Sequence, residues 1–373
     1  MRNKPLVSIV MPTYNRGYVI EKAILSAVSQ TYNNWELIIV DDASTDETES
    51  VVAGIRDDRI RYVKNEINRG ANFSRNRGCS LAKGDYLAFL DSDNYWEKEM
   101  LESQMEILVP SSAKVGFVFC RVRFQQFDKL LEEGRVVPRE QFDVGQLKRI
   151  LPFGNMIDMN TVVLKKEVFC AVNGFDEEMP RLQDYELFLR LVLKHDYEVL
   201  YNPRVLDTNV IQGNSISMSV SRLEAAILLL LKKYAAYFPE TALHRWIWEL
   251  ICGAPDEDAR ESVRQKILDI KEISGGHLIS RQKFVDDFKK KSDRIFVYGM
   301  GERTKRALSY LGDFFAYLVS DGHKGKDGSK PVFAFSEADV TPKDGVILCL
   351  DILNLAEVIP LLENKGYTNY ICL

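Results

Sequence analysis

Asp91-Ser92-Asp93 stands directly after the apolar run Tyr86–Leu90, and Asp41-Asp42 directly after Trp35–Val40. A third run, Leu6–Met11, ends in Pro12 and delivers Thr13-Tyr14-Asn15, while Ser44 and Asp46 follow the second. Carboxylates gathered in one place repel unless positive charge or hydrogen-bond donors offset them. A hard divalent cation together with a nucleotide supplies that offset. Just upstream of the last cluster, Asn68-Arg69-Gly70 and Arg75-Asn76-Arg77-Gly78 form a polar, cationic stretch. An arginine fork suits two diphosphate oxygens at once. An isolated Asp-Ser-Asp also suits a solvated acidic turn, so the argument rests on the elements that deliver these groups.

Those elements alternate. Leu6–Met11, Trp35–Val40, Ile60–Val63 and Tyr86–Leu90 read as short buried strands. Between them, Gly17–Gln30, Thr45–Ile55 and Ala71–Leu81 carry helical patterns, with Ser44 and Glu47 at the spacing of a capping box. Strands that are apolar throughout, separated by helices, predict a mostly parallel sheet covered on both faces. Ligands of such sheets bind beyond the carboxyl ends of the strands, where all three polar clusters lie. Val115–Arg123 reads as a further strand, Leu187–Leu193 as a helix and Glu198–Tyr201 as a short strand.

Four segments in this order, VSIVMPTYNR, IIVDDASTD, NRGANFSRNRG and KGDYLAFLDSDNYW, resemble the nucleotide-sugar domain of family 2 glycosyltransferases. A fifth, GFDEEMPRLQDYELFLRL, is similar to the family's acceptor-side segment, so the resemblance covers Pro5 to Val210. It implies a GT-A fold, a mixed sheet flanked by helices, and inverting transfer from a nucleotide-sugar, with a UDP-sugar the expected donor. It places Pro12, Tyr14 and Asp41 around the base, with Asp42 and Ser44 close by. Arg75 falls near the phosphates, and Asn68 and Gly70 shape that loop. Asp91 and Asp93 match the aspartate–any–aspartate motif and are the expected ligands of Mn²⁺ or Mg²⁺, with Asp91 also near the ribose. Asn94 departs from the third aspartate of many members. Asp184 is the implied general base, in a Gln183-Asp184 pair where the family often has two acids. The same aspartate would equally serve as a first-turn acid at a helix start. Trp96 is expected on the sugar side or, equally, in the core, and Arg190 beside Asp184 or in an ordinary ion pair.

The rest of the 373 residues sets bounds. Apolar residues make up 46% and charged ones 28%, the composition of a globular chain with a core. With 49 basic against 54 acidic residues there is no excess for binding nucleic acid. Six cysteines show no CxxC spacing, as expected of reduced thiols in the cytoplasm. The apolar run Ala225–Leu231 is short for a span, which needs ~20 residues, and the first residues lack a secretory pattern. That run, followed by Lys232-Lys233, reads as a buried connecting helix or as a peripheral contact with the inner face of the membrane. The expected organisation is a transferase domain over 1–220, a helical connector over 221–291 and a small Rossmann-like unit over 292–373. The last carries Gly299-Met300-Gly301 after a strand and Asp321 near the end of the next, with Thr304 at the third glycine position. Nucleotide binding and a packing role both remain open for it. The expected partners are a nucleotide-sugar and a glycan or lipid-linked acceptor. The rival readings are an NAD-linked sugar-modifying enzyme, which leaves the acidic clusters unexplained, and a scaffold that binds nucleotide-sugar without turnover.

Overall fold

The computed structural model of the chain describes residues 4–126, 135–138, 140, 142–211, 220–271, 273, 278, 281–300, 304, 305, 307, 311, 314–319, 325–327, 330–350 and 352–373. Packing divides the chain into two units, Met1–Gly145 with Asn155–Ala226, and Gln146–Gly154 with Ile227–Leu373.

The first unit opens with strict alternation: β1 (Val7–Thr13), α1 (Ile20–Val28), β2 (Trp35–Asp41), α2 (Thr48–Gly54), β3 (Ile60–Lys64), α3 (Ala71–Leu81) and β4 (Tyr86–Phe89). It continues through β5 (Tyr95–Trp96), α4 (Met100–Leu108), β6 (Val115–Gln126), β7 (Arg135–Val137) and β8 (Val162–Lys165). It then forms α5 (Lys166–Ala171), α6 (Gln183–Leu189) and β9 (Glu198–Ile211). The strand order is β3-β2-β1-β4-β8-β6-β9-β5, with β7 on β6. From β3 to β4 all pairs are parallel, as the alternation predicts. Past β4 the sheet becomes mixed, because β8 runs antiparallel to both β4 and β6.

One register difference makes the site. Strand β1 pairs with β2 from Val7↔Trp35 to Thr13↔Asp41, but with β4 only as far as Val10↔Phe89. The chain leaves β1 to one side for β2 and β3 and returns to the other side for β4, so β1 and β4 flank the topological switch point. Beyond Val10 they diverge and open a crevice there. Pro12 sits in the splayed stretch, where no β4 partner needs the amide it lacks. Helix α3 lies so close to this floor that a Cβ on Gly78 would meet Val10 Cγ1 at 2.5 Å.

Two local expectations change. No capping box forms at Ser44 and Glu47: α2 begins at Thr48, and Ser44 Oγ instead accepts the Asn15 amide at 2.9 Å. Strand β9 does not stop at Tyr201. Pro203 and Arg204 bulge outward between the pairs Cys120↔Asn202 and Arg121↔Val205, and the ladder resumes to Ile211.

The second unit holds β10 (Ile295–Tyr298), β11 (Ala316–Val319), β12 (Gly325–Asp327), β13 (Lys330–Ala334), β14 (Gly345–Leu348) and β15 (Tyr370–Cys372). Their order is β12-β13-β11-β10-β14-β15, parallel except at β12. Gly299 leaves β10 at φ +102, and Thr304 Oγ1 donates to its carbonyl at 2.9 Å. Gly301, Asp321 and part of the helix expected over Thr304–Leu311 lie outside the described residues. The helix Val220–Tyr234 buries Ala226, Ile227, Leu230, Leu231 and Tyr234, so its apolar stripe faces protein. Among the described residues no helix is long and apolar enough to cross a membrane.

Gly78→Ala is expected to destabilise the chain by about 1–3 kcal/mol, because Val10 is a branched side chain in the centre of the sheet and cannot retreat. Urea unfolding of the variant checks this; an unchanged midpoint would mean that α3 can lift off β1.

Candidate active site

The ends of β1, β2 and β4, the α3 entrance and the start of α6 border one open cleft of about 1310 Å³. Pro12, Tyr14, Asp42, Asn68, Gly70, Arg75, Asp91, Asp93 and Asp184, all singled out from sequence, line it. Asp41, Ser44 and Trp96 do not. Asp41 is fully buried beneath the rim, where its carboxylate accepts the Ser44 amide at 2.7 Å and the Tyr62 hydroxyl. Ser44 in turn holds Asn15, whose φ of +51 turns the chain back after β1. Trp96 is core: its indole N–H donates to Asn160 O at 2.7 Å, buried among Met100, Leu101 and Leu206.

Asp42 works as a rivet for the loop between β3 and α3. Its Oδ1 accepts Asn65 Nδ2 at 2.7 Å and the Arg69 amide at 2.9 Å, and its Oδ2 accepts the Gly70 amide at 2.7 Å. Gly70, at φ +90, makes the turn into α3. The polar face of α3 then divides its work. Arg75 reaches the cleft and donates to Asp91 Oδ1 at 2.6 Å. Asn72 and Asn76, one turn apart, grip the backbone of the segment leading to α6: Asn72 Nδ2 bonds Asp176 O at 2.8 Å, and Asn76 Nδ2 bonds Phe175 O at 2.9 Å. Arg77 is spent on Lys64 O and Asn65 Oδ1. Much of this polar stretch is therefore internal glue, while Asn68, Arg69 and Arg75 line the cleft.

The sequence reading missed the segment before β8. Asn160 Oδ1 accepts the Asp91 amide at 2.6 Å, and Asp158 orients Asn160 through its amide at 2.9 Å and its side chain at 2.8 Å. Asn209 on β9 bonds the other Asp158 oxygen at 2.8 Å. Asn155 Nδ2 donates to Asp184 Oδ2 at 3.0 Å. The available signal was three short polar side chains spaced through the apolar stretch Asn155–Asn160, ahead of a buried strand.

The acids respond to this crowding. Burial, and then the charge of Asp91, push Asp93 up to about 6, against the pull of Arg16, whose Nε lies 3.5 Å from its Oδ2. Burial also pushes Asp184 up to about 6. Asp184 sits in the first turn of α6, entered through Leu182 at φ +60, a strained left-handed residue that lines the cleft. Arg190 stays away from it, donating to buried Glu186 at 2.7 Å and to Val172 O. The charged lining among the described residues is balanced: Arg16, Arg69, Arg75, Arg181 and Arg222 face Asp42, Asp91, Asp93, Asp158 and Asp184. Two polar atoms of lining residues, Thr13 Oγ1 and Arg75 Nε, are buried with no hydrogen-bond partner.

Comparison with known proteins places this geometry. The sequence model described as Glycosyl transferase family 2 matches residues 8–154. WcaA of Escherichia coli K12, a glycosyl transferase named for colanic acid biosynthesis, is 31% identical over 201 residues, covering 52% of this chain and 69% of WcaA. The E. coli UDP-Glc:alpha-D-GlcNAc-diphosphoundecaprenol beta-1,3-glucosyltransferase WfgD is 32% identical over 187 residues, covering 50% of this chain and 70% of WfgD. S. aureus TarS 1-349 in complex with UDP-GlcNAc superposes with a TM-score of 0.50 at 17% identity, over 77% of this chain and 80% of the TarS 1-349 chain, a likeness of fold.

Beneath the site, Asp207 on β9 is fully buried, and neither carboxylate oxygen has a partner in hydrogen-bonding geometry. Burial, then Asp158 and Asp91, raise its pKa well above the usual range, with only a small opposing effect from the Thr208 amide. The folded state thus holds this proton more tightly than the unfolded chain, and stability falls as pH climbs from about 4 toward the raised value. Asp207→Asn removes that term. The thermal midpoint of the variant relative to the wild type is expected to rise steadily from pH 5 to pH 8; a flat difference would mean that Asp207 ionises without penalty.

Proposed function

The chain belongs to glycosyltransferase family 2, and on that premise we propose that it moves a sugar, with inversion, from a UDP-sugar to a hydroxyl of a glycan or lipid-linked acceptor in bacterial surface polysaccharide synthesis. The carrying observation is that Asp91, Asp93 and Asp184 open onto one cleft at the switch point of the sheet. Its volume of about 1310 Å³ exceeds the roughly 300–1,000 Å³ usual for a single small ligand and suits a donor with an acceptor. The relatives support the substrate classes: one is named for UDP-Glc and a GlcNAc-diphosphoundecaprenol acceptor, another for colanic acid biosynthesis.

In this reading the donor lies along the β1 and β4 ends. Pro12 and Tyr14 border the base, with Asp41 and Ser44 shaping the rim from beneath, and Arg75 meets the diphosphate beside the loop that Asn68 and Gly70 shape. Asp91 and Asp93 are oxygen donors suited to Mn²⁺ or Mg²⁺, and among the described residues no third His, Cys, Asp or Glu completes a cage. These two carboxylates would hold such a cation through oxygen atoms, the ligand type hard cations prefer. When bound, such a cation stabilises charge developing on the leaving diphosphate.

Asp184 takes the proton from the acceptor hydroxyl as that oxygen attacks the anomeric carbon. Its carboxylate is steered by Asn155 Nδ2, and its raised pKa of about 6 makes it a better proton acceptor while leaving it ionised at neutral pH. Because the attack displaces the diphosphate directly, a single base suffices. A second carboxylate flanking the bond, as glycosidases need, has no role here.

Asp184→Asn is expected to lower kcat by about 10²–10⁴-fold with UDP binding retained. Asp93→Ala is expected to abolish transfer and weaken Mn²⁺-dependent UDP binding. Full turnover by either variant would remove that residue from the mechanism. In the wild type, kcat should fall as pH drops below about 6, where Asp184 takes up a proton; a rate level down to pH 5 would point to another base. Thermal shifts with UDP, GDP and TDP, with and without Mn²⁺, test the donor: UDP should stabilise most, and only fully with the metal.

A further inference from the structure

Arg16 is a residue to which neither the motif reading nor the proposed chemistry gives a task. Its backbone cannot move freely. Its amide donates to Thr48 Oγ1 at 2.9 Å, and the amides on either side are held by Ser44 Oγ at 2.9 Å and Asp46 Oδ2 at 3.0 Å. The contact with α2 is so close that a Cβ on Gly17 would meet Glu47 Cγ at 2.5 Å. From this pinned loop, which also carries Tyr14, the Arg16 side chain crosses the crevice to Asp93, its Nε 3.5 Å from Oδ2. On the far side Arg75 makes the equivalent pair with Asp91 at 2.6 Å. Each candidate cation ligand therefore already has an arginine counter-ion.

The two pairs are neutral together, and the charged lining of the whole cleft is balanced. A divalent cation entering alone would leave two uncompensated positive charges in a partly buried space and would have to compete with Arg16 for Asp93. A nucleotide-sugar diphosphate entering alone would leave two negative charges. Entering together they cancel, and the diphosphate offers Arg16 two oxygens in place of the one carboxylate it yields. We infer that Arg16 is a competing counter-ion which makes cation binding conditional on the diphosphate, so that the metal and the nucleotide are taken up as a pair. This rests on the reading of Asp91 and Asp93 as the cation ligands. Arg16 is a positioning residue, acting on the cation through Asp93.

The test is titration of the full chain with Mn²⁺ alone, UDP alone and Mn²⁺ at saturating UDP, followed by calorimetry and by the Mn²⁺ paramagnetic resonance signal. The wild type is expected to bind Mn²⁺ weakly alone and about 5–150-fold more tightly with UDP. In Arg16→Ala, Mn²⁺ alone should bind more tightly, UDP alone more weakly, and the coupling factor should shrink toward one. Arg16→Lys, which keeps the charge, should restore most of the coupling. Arg16→Gln, longer and less disruptive, repeats the measurement should the alanine variant not fold. Coupling of wild-type size in Arg16→Ala or Arg16→Gln overturns the inference while leaving the proposed function intact. Absence of any Mn²⁺–UDP coupling in the wild type overturns the reading of the cation site beneath it, and the inference with it.

Discussion

Five carboxylates share one cleft, and like charges at such spacing cannot coexist in a partly buried space without compensation. Much of the first unit can be understood as the supply of that compensation. Asp42 receives two amides and an asparagine, Asp158 an amide and two asparagines, Asp184 an asparagine, and Asp91 and Asp93 an arginine each. Burial makes these acids harder to ionise, and neighbouring carboxylates add to it, so Asp93 and Asp184 both rise to about 6.

Rigidity follows from the same bonds. The loops after β1 and before α3 leave Tyr14, Tyr18 and Ile67 exposed instead of packed, yet Ser44, Asp46 and Asp42 tie their amides directly to the ends of the sheet. Buried bonds to charged acceptors are among the stronger kind, and losing one leaves a buried amide or carboxylate unpaired. Helix α3 extends this order within the first unit, since Arg75 on it pairs with Asp91 while Asn72 and Asn76 hold the segment that leads to α6. The wall carrying Asp91 and the segment carrying Asp184 are thus held to a common element, with the left-handed Leu182 as the local cost of aiming α6.

The parts of this arrangement readable from residues alone were those with strong local signals. The apolar runs ending in Pro12, Asp41 and Leu90 identify the parallel half of the sheet, because strands buried on both faces cannot be written any other way. Helix α3 falls where its pattern puts it, at Ala71–Leu81. Signals that depend on a distant partner were misread or missed. Ser44 has the spacing of a helix cap but serves Asn15, and a capping box and a loop rivet look alike in sequence. Trp96 suits a sugar face by chemistry, yet its β5 backbone pairs with β9 and carries the ring into the core. Strand β9 runs past a proline because a bulge opposite Arg121 absorbs it.

The sequence by itself determined the kinds of group available and their order: short acidic loops after buried strands, an arginine-rich helix, and an acid at a later helix start. Those are local facts, written in residue type and period. The tertiary structure decided which of the groups face the cleft. It set Arg75 apart from Arg77, sank Asp41 beneath Asp42, brought Asn155, Asp158 and Asn160 in from a segment without an obvious motif, and laid Arg16 across to Asp93. The physical reason is that a carboxylate or a guanidinium is useful only if its charge is offset. That balance is struck between residues tens of positions apart, which spacing along the chain does not encode.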